Sequence, residues 1–186
     1  NDPEKFVDRI FNMGLNNKLD LELIGEGNPL FTHPSDKKNW DGLDLPWMAF
    51  GYGIQLTPLQ TLAFYNAIAN NGKLVKPRFL KKVTSFDNVI ESFDTEVINP
   101  SICSQETIDK VKQMMLNVVE KKHGTAHNIY DKNFSMAGKT GTCQTEYWKS
   151  PDLYISSFAG YFPADKPKYS CIVVIHKPNK LKGYYG

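Results

Sequence analysis

The hydrophobic period of this chain changes once, at Phe134, and that change restricts the folds open to it. Before it, apolar residues recur at helical spacing. After it, three β-rich runs follow one another, Met136 to Cys143, Tyr154 to Phe162 and Tyr169 to His176, separated by Pro, Asp and Lys turns. Helices first and a short antiparallel meander last is an α+β pattern, since a βαβ fold would alternate the two periods throughout.

The helical part carries its own punctuation. Asp2-Pro3-Glu4 ahead of Phe6, Val7, Ile10 and Phe11 predicts a helix with Pro in its first turn, ended by Gly14. Thr57 as N-cap, Pro58 behind it and Asn70-Asn71-Gly72 as the stop predict a helix over Pro58 to Ala69. Ser104 to Lys122 predicts another, with Ile108, Val111, Met115, Val118 and Val119 on one stripe. Residues 25–47, rich in Gly and Pro, read as a long irregular connection. Lys73 to Val83 alternates like a strand and leads into a polar stretch up to Pro100.

Composition removes several function classes. A net charge of +2, with no basic cluster larger than short pairs such as Lys81-Lys82 and Lys121-Lys122, argues against a nucleic-acid partner. Cys103, Cys143 and Cys171 are odd in number and form no C-x-x-C pair, so neither a zinc site nor a disulfide framework is indicated. No apolar run is long enough to span a membrane, and the polar opening Asn1 to Glu4 is not a signal peptide. Any membrane anchor is expected outside this chain.

The first β-rich run holds the residues with evident chemistry. Lys139-Thr140-Gly141-Thr142 combines a cation, two hydroxyls and a glycine in one short strand. The cation and hydroxyls can hold a carboxylate, and Gly lets a ligand backbone approach closely. Alternation puts Lys139 and Gly141 on one face and Thr140 and Thr142 on the other. All four serve one ligand only if the strand presents its rim to a groove.

The segments around this strand resemble the transpeptidase domain of class B penicillin-binding proteins. Phe50-Gly51-Tyr52-Gly53 with Thr57-Pro58-Leu59-Gln60 is similar to that family's G-Y-G…T-P-L-Q segment. Val118-Val119 with Gly124-Thr125-Ala126 resembles its V-V…G-T-A segment, and Ala137 to Thr142 its A-G-K-T-G-T strand. Phe158 to Ala164 and Tyr184-Tyr185-Gly186 follow where the family has them. The resemblance covers nearly the whole chain, in order, and is nearest to the septal, division-type members.

The resemblance implies a peptidoglycan D,D-transpeptidase, a β-lactam target acting through an acyl-serine on the extracytoplasmic (periplasmic) face of the membrane. Stem peptides and β-lactams would be its ligands, with divisome and glycosyltransferase partners and no cofactor. Lys139 would supply charge at the catalytic centre, Thr140 and Thr142 would bind the ligand carboxylate, and the Thr142 N–H would be an oxyanion donor. Gly141 would admit an extended peptide. The family's S-x-x-K and S-x-N motifs are expected upstream, so residues 1–186 would be the C-terminal portion of one domain, lacking the nucleophile, two sheet strands and the last helix. The S-x-x-K formed by Ser35 and Lys38 is flanked by Pro34 and Asn39-Trp40-Asp41-Gly42 and reads as a solvated turn.

Other readings stay open at this level. A D,D-carboxypeptidase or serine β-lactamase shares K-T-G, although the G-Y-G…T-P-L-Q and G-T-A segments argue against both. A non-catalytic sensor of β-lactams or wall peptides is a further alternative. Tyr52, Gly124 and Thr125 are candidate groove borders, with turn-shaping and a helix C-cap as the plainer readings. His123 and His127 at i, i+4 lack a third ligand, Cys143 lacks an activating partner, and Trp40, Trp47 and Trp148 are rim or cover residues.

Overall fold

In the computed structural model, residues 2–146, 148–149, 153–179, 183 and 185 are described. They form an α+β chain that divides into two compact units. Residues 1–63 and 73–103 make the first, and residues 64–72 and 104–186 the second.

In the first unit, helix α1 (Pro3–Asn12) starts where Asp2 accepts the Lys5 N–H at 3.1 Å, and it buries Val7. Gly14, at φ +89°, turns the chain out of it. The segment expected to be wholly irregular contains strand β1 (Leu30–Phe31) and leads into helix α2 (Asp44–Ala49). The sequence hides α2 because it is under two turns long and carries Pro46 inside. Strand β2 (Ile54–Gln55) pairs antiparallel with β1.

Helix α3 (Pro58–Ala69) begins with a capping box. The Gln60 N–H donates to Thr57 Oγ1 at 3.1 Å and the Thr57 N–H to Gln60 Oε1 at 2.8 Å. Gln60 is buried, and its Nε2 donates to the Gly27 carbonyl at 3.3 Å, which satisfies it.

The long alternation expected over Lys73 to Val83 is broken. Strand β3 (Leu74–Val75) is two residues long, and β4 (Lys82–Ser85) belongs to a separate hairpin with β5 (Asn88–Ser92). Strand β6 (Val97–Asn99) returns to pair with β3. The stretch read as polar connection therefore holds two strands. Its charged residues masked a tight turn at Phe86, which has φ +48°.

The second unit is built on helix α4 (Gln105–Glu120) and a three-stranded sheet. Ser104 caps α4 through the Thr107 N–H, and Ile108, Met115 and Val119 of the expected stripe are buried. Strands β7 (Ala137–Gln144), β8 (Tyr154–Phe162) and β9 (Tyr169–His176) are antiparallel in the order β7-β8-β9. They match the three predicted runs to within one residue at each end. One face buries Ala137, Ala159 and Tyr161, and on it Ser170 donates to Asn66 of α3 at 3.2 Å. The expectation that the tail carries no closing element falls at Lys182, Tyr184 and Gly186, outside the described residues. Among the described residues no helix is long and apolar enough to cross a membrane.

Candidate functional site

Among the described residues strand β7 is an edge of its sheet, pairing on one side with β8 from Ala137↔Tyr161 to Gln144↔Tyr154. Its other side presents a rim. Lys139 and Thr142, on opposite faces by alternation, are both exposed, as an edge strand allows. Lys139 Nζ donates to the Thr140 carbonyl at 2.7 Å, which marks that carbonyl as directed to the rim. In an antiparallel strand the N–H and C=O of one residue point to the same side and alternate along the chain. The backbone of Thr142 therefore faces the rim as well.

Two glycines make β7 lie close to β8. A Cβ on Gly138 would sit 2.3 Å from Phe158 Cζ, and one on Gly160 would sit 2.4 Å from the Ala137 carbonyl oxygen. The Phe158 ring, paired across from Thr140, leans along the strand into the space these glycines leave. At Gly141 a Cβ would meet Ser157 Oγ at 2.7 Å, so that position is also restricted to glycine unless Ser157 turns away.

The loop after α4 reaches the strand directly. Thr125 Oγ1 lies 2.8 Å from Thr140 Oγ1, and the Ala126 N–H donates to the Val118 carbonyl at 3.0 Å. Gly124 makes this approach possible by its size. A Cβ there would lie 2.2 Å from the Val118 carbonyl oxygen and 2.7 Å from that of Asn117. The helix itself caps at Lys121 in extended backbone, so the C-cap reading of Gly124 is replaced by close packing on the helix end.

This edge strand, with its lysine, its two hydroxyl residues and a Gly-Thr loop bonded to it, occurs in a chain that matches the family description "Penicillin binding protein transpeptidase domain" over residues 2–186. The chain belongs to the penicillin-binding-protein transpeptidase family.

Its similarity to individual members is moderate and nearly end to end. It is 30% identical to penicillin-binding protein PbpB of Mycolicibacterium smegmatis, over 96% of this chain and 28% of that protein. It is likewise 30% identical to the peptidoglycan D,D-transpeptidase FtsI of Escherichia coli, over 97% of this chain and 28% of FtsI. The apo crystal structure of penicillin-binding protein 3 from Mycobacterium tuberculosis superposes with a TM-score of 0.80 at 30% identity, covering 100% of this chain and 43% of that one. The same protein complexed with ampicillin gives 0.79, covering 95% and 40%. The transpeptidase-family chain thus spans less than a third of the length of these two curated relatives.

Within this family member the structure brings together Lys139, Thr140, Gly141 and Thr142 with Gly124 and Thr125, all in the second unit. Tyr52 belongs to the first unit, where it forms an aromatic triangle with Trp47 (centroids 5.4 Å apart) and Phe50 (5.7 Å). Ser35 sits in a non-helical turn, so the one-faced pairing of Ser and Lys that S-x-x-K needs is not formed. His127 donates from Nδ1 to the Val119 carbonyl at 3.1 Å and stacks on Tyr130, which is a structural use of the ring. The three cysteines are free thiols, and burial pushes that of Cys103 up.

Two interactions escaped the sequence reading. Phe158 opens the family-like segment Phe158 to Ala164, but its packing role shows only once register sets it opposite Thr140. Thr125 is a candidate groove border by sequence, but its bond to Thr140 exists only in three dimensions.

Proposed function

We propose that this chain is the substrate- and β-lactam-binding wall of a peptidoglycan D,D-transpeptidase of the division type. The observation that carries the reading is β7, an edge strand whose rim joins Lys139, the Thr140 and Thr142 hydroxyls and the outward Thr142 backbone, buttressed by Thr125. A ligand carboxylate held by the two hydroxyls would place an acyl carbonyl beside the Thr142 N–H as it turns into an oxyanion. One such donor contributes about 10²–10³ in rate. Lys139 adds positive charge beside the carboxylate, and Gly141 gives an extended stem peptide room to align with the strand edge.

The acyl-serine intermediate requires a nucleophile beyond these residues, because the chain has no S-x-N and its S-x-x-K lies in the Ser35 turn. We therefore place residues 1–186 as the C-terminal portion of one transpeptidase domain. In the complete protein that domain works on the extracytoplasmic face of the membrane, anchored by a segment outside this chain and served by division and glycosyltransferase partners. No cofactor is required.

The decisive experiment is acylation of the complete protein by a fluorescent penicillin. Lys139→Ala should slow it about 100-fold or more, in keeping with loss of one charged contact at the reacting centre. Labelling at the wild-type rate would remove β7 from the site. The matches to D,D-transpeptidases do not support the sensor alternative, and the complete protein should also release D-alanine from a stem-peptide donor.

A further inference from the structure

A second set of side chains has a chemistry that the reading of β7 does not use. In the first unit Asp8 of α1 and the loop residues His33 and Ser35 form one hydrogen-bonded chain. His33 Nε2 lies 3.2 Å from Asp8 Oδ1, and His33 Nδ1 lies 2.6 Å from Ser35 Oγ.

The direction of each bond follows from a fourth atom. The Ser35 backbone N–H also points at Nδ1, at 3.1 Å, and an amide N–H only donates. Nδ1 is therefore the acceptor. The ring proton sits on Nε2 and donates to the Asp8 carboxylate, while Ser35 Oγ–H and the Ser35 amide N–H share the single lone pair of Nδ1, the hydroxyl at the shorter distance. That order is nucleophile, base, and the carboxylate that orients the base, with the two ring nitrogens exchanged relative to the serine-protease arrangement.

The arrangement exceeds what a loop turn needs. The amide bond to Nδ1 closes the turn by itself, yet Asp8 reaches the ring from 25 residues away. Phe11, three residues on from Asp8 and on the same side of α1, packs against the imidazole with centroids 5.5 Å apart. The ring is thus held from α1 by both a charge and an aromatic face.

Ser35 is exposed to solvent. Its neighbours Thr32 and Asp36 line an adjoining open groove of about 510 Å³ together with Leu30, Phe31 and Gly53, although Ser35 and His33 are not themselves among its lining residues. The Asp36 carboxylate, which would repel a developing oxyanion, is turned into its own loop. It accepts Asn39 Nδ2 at 2.8 Å and the Lys38 and Asn39 N–H groups at 3.3 Å.

We propose that Ser35 is an acyl-accepting nucleophile, separate from any serine that works with β7, which takes acyl groups from activated carboxylic esters. Ser35 Oγ bonds to the ester carbonyl carbon as its proton passes to His33 Nδ1. The ester C–O bond then breaks, and the leaving alkoxide takes that proton and departs as the alcohol. Water attacks the acyl-serine by the same route, returning Ser35 and releasing the carboxylic acid. Asp8 is a positioning residue that keeps the proton on Nε2.

The test treats the complete protein, its β-lactam-reactive serine first blocked with penicillin, with p-nitrophenyl acetate and, separately, with a fluorophosphonate probe, followed by intact mass and peptide mapping. One adduct mapping to Ser35 is expected, absent in Ser35→Ala. His33→Gln should slow its formation about 100-fold, the scale of a lost general base. Asp8→Asn should slow it about tenfold or more, whereas Asp8→Glu restores it. Free imidazole should recover labelling in His33→Ala, which a merely structural histidine would not do. An adduct on any other residue, no adduct in the wild-type chain, or His33→Gln labelling at the wild-type rate each overturns the proposal. Where a variant loses its native circular dichroism, the mapping on the wild-type chain decides alone.

Discussion

The hydroxyl of Thr125 is hydrogen-bonded to that of Thr140 at 2.8 Å, joining the loop that leaves α4 to the strand that faces the ligand. Each hydroxyl has one proton and can accept more than one bond. When Thr140 donates to a ligand carboxylate, Thr125 can donate to Thr140 and fix its rotor.

Thr125→Val keeps the shape of the side chain and removes that donor. In the complete protein its penicillin acylation rate should fall about three- to tenfold, the equivalent of a net hydrogen bond of about 0.5–1.5 kcal/mol. Thr125→Ser should stay near wild type. Stopped-flow acylation kinetics distinguish the two, and equal rates for Val and Ser would detach Thr125 from the site.

Gly124 and Gly138 should respond differently to alanine. At Gly138 the nearest obstacle is a ring edge of Phe158, which can turn at some cost, although the Ala159 carbonyl oxygen stands 2.9 Å behind it. At Gly124 the obstacles are helix-end carbonyls of Val118 and Asn117, which cannot move without unwinding α4. Gly138→Ala should cost about 1–3 kcal/mol in urea unfolding and Gly124→Ala more.

Acid should loosen the first unit through Glu26. Its carboxylate accepts the Leu19 N–H at 2.6 Å and the Leu21 N–H at 3.0 Å. Burial pushes the carboxyl up, but the Leu21 and Leu19 bonds and the charges of Lys18 and Lys76 outweigh it, and the group titrates below its ordinary value. With the folded pKa depressed, this stabilisation is present above the ordinary carboxylate range and is lost as pH falls through the folded value. Glu26→Gln should flatten the acid limb of melting temperature against pH. An unchanged limb would show that the clasp carries no linkage.

At the alkaline end the relevant group is Tyr161, 2% exposed, whose phenol burial pushes up to about 12. The unfolded chain ionises near pH 10 while the folded chain does not, so stability should fall between about pH 10 and 12. Tyr161→Phe should remove that part of the fall, read as unfolding midpoints across the range.

The sheet should make this chain self-associate. Tyr169, Val173 and Ile175 are exposed along one face of β9, and the outer edge of β9 pairs with no strand among the described residues. Such an edge templates further pairing. Sedimentation velocity under reducing conditions should show concentration-dependent assembly, and a Val173→Lys, Ile175→Lys double variant should shift it towards monomer. A wild-type chain monomeric at high concentration would contradict this.

What the sequence made legible follows from how local each signal is. The capped helices α1, α3 and α4 and the three strands of the meander were readable because caps, stops and periods lie within each element. Strands β1, β2 and β6 were not, since each is three residues or shorter and exists only through a partner distant in sequence, and of the strand-like Lys73 to Val83 only Leu74–Val75 and the start of β4 form strands. The hairpin β4–β5 was missed because every residue in both strands is exposed, which removes the alternation that betrays a strand. At the site, Lys139 to Thr142 stood out by residue type. The need for glycine at 124 was attributed to the wrong cause, because the clash that demands it is with a helix end six residues back, visible only in three dimensions.

The ring of Phe158 gives the candidate site a property of another kind. A single aromatic side chain occupies the space above Gly138 and approaches that above Gly160, so three positions on two strands share one volume. A change at any of them alters what the other two can hold. A side chain gained at Gly138 presses first on the ring at 158, whereas one at Gly160 meets the Ala137 carbonyl oxygen first, and a smaller residue at 158 leaves a hole beside the ligand strand. These positions should therefore drift in concert or stay still, so the packing of the strand that carries Lys139 depends on a ring borne by its neighbour.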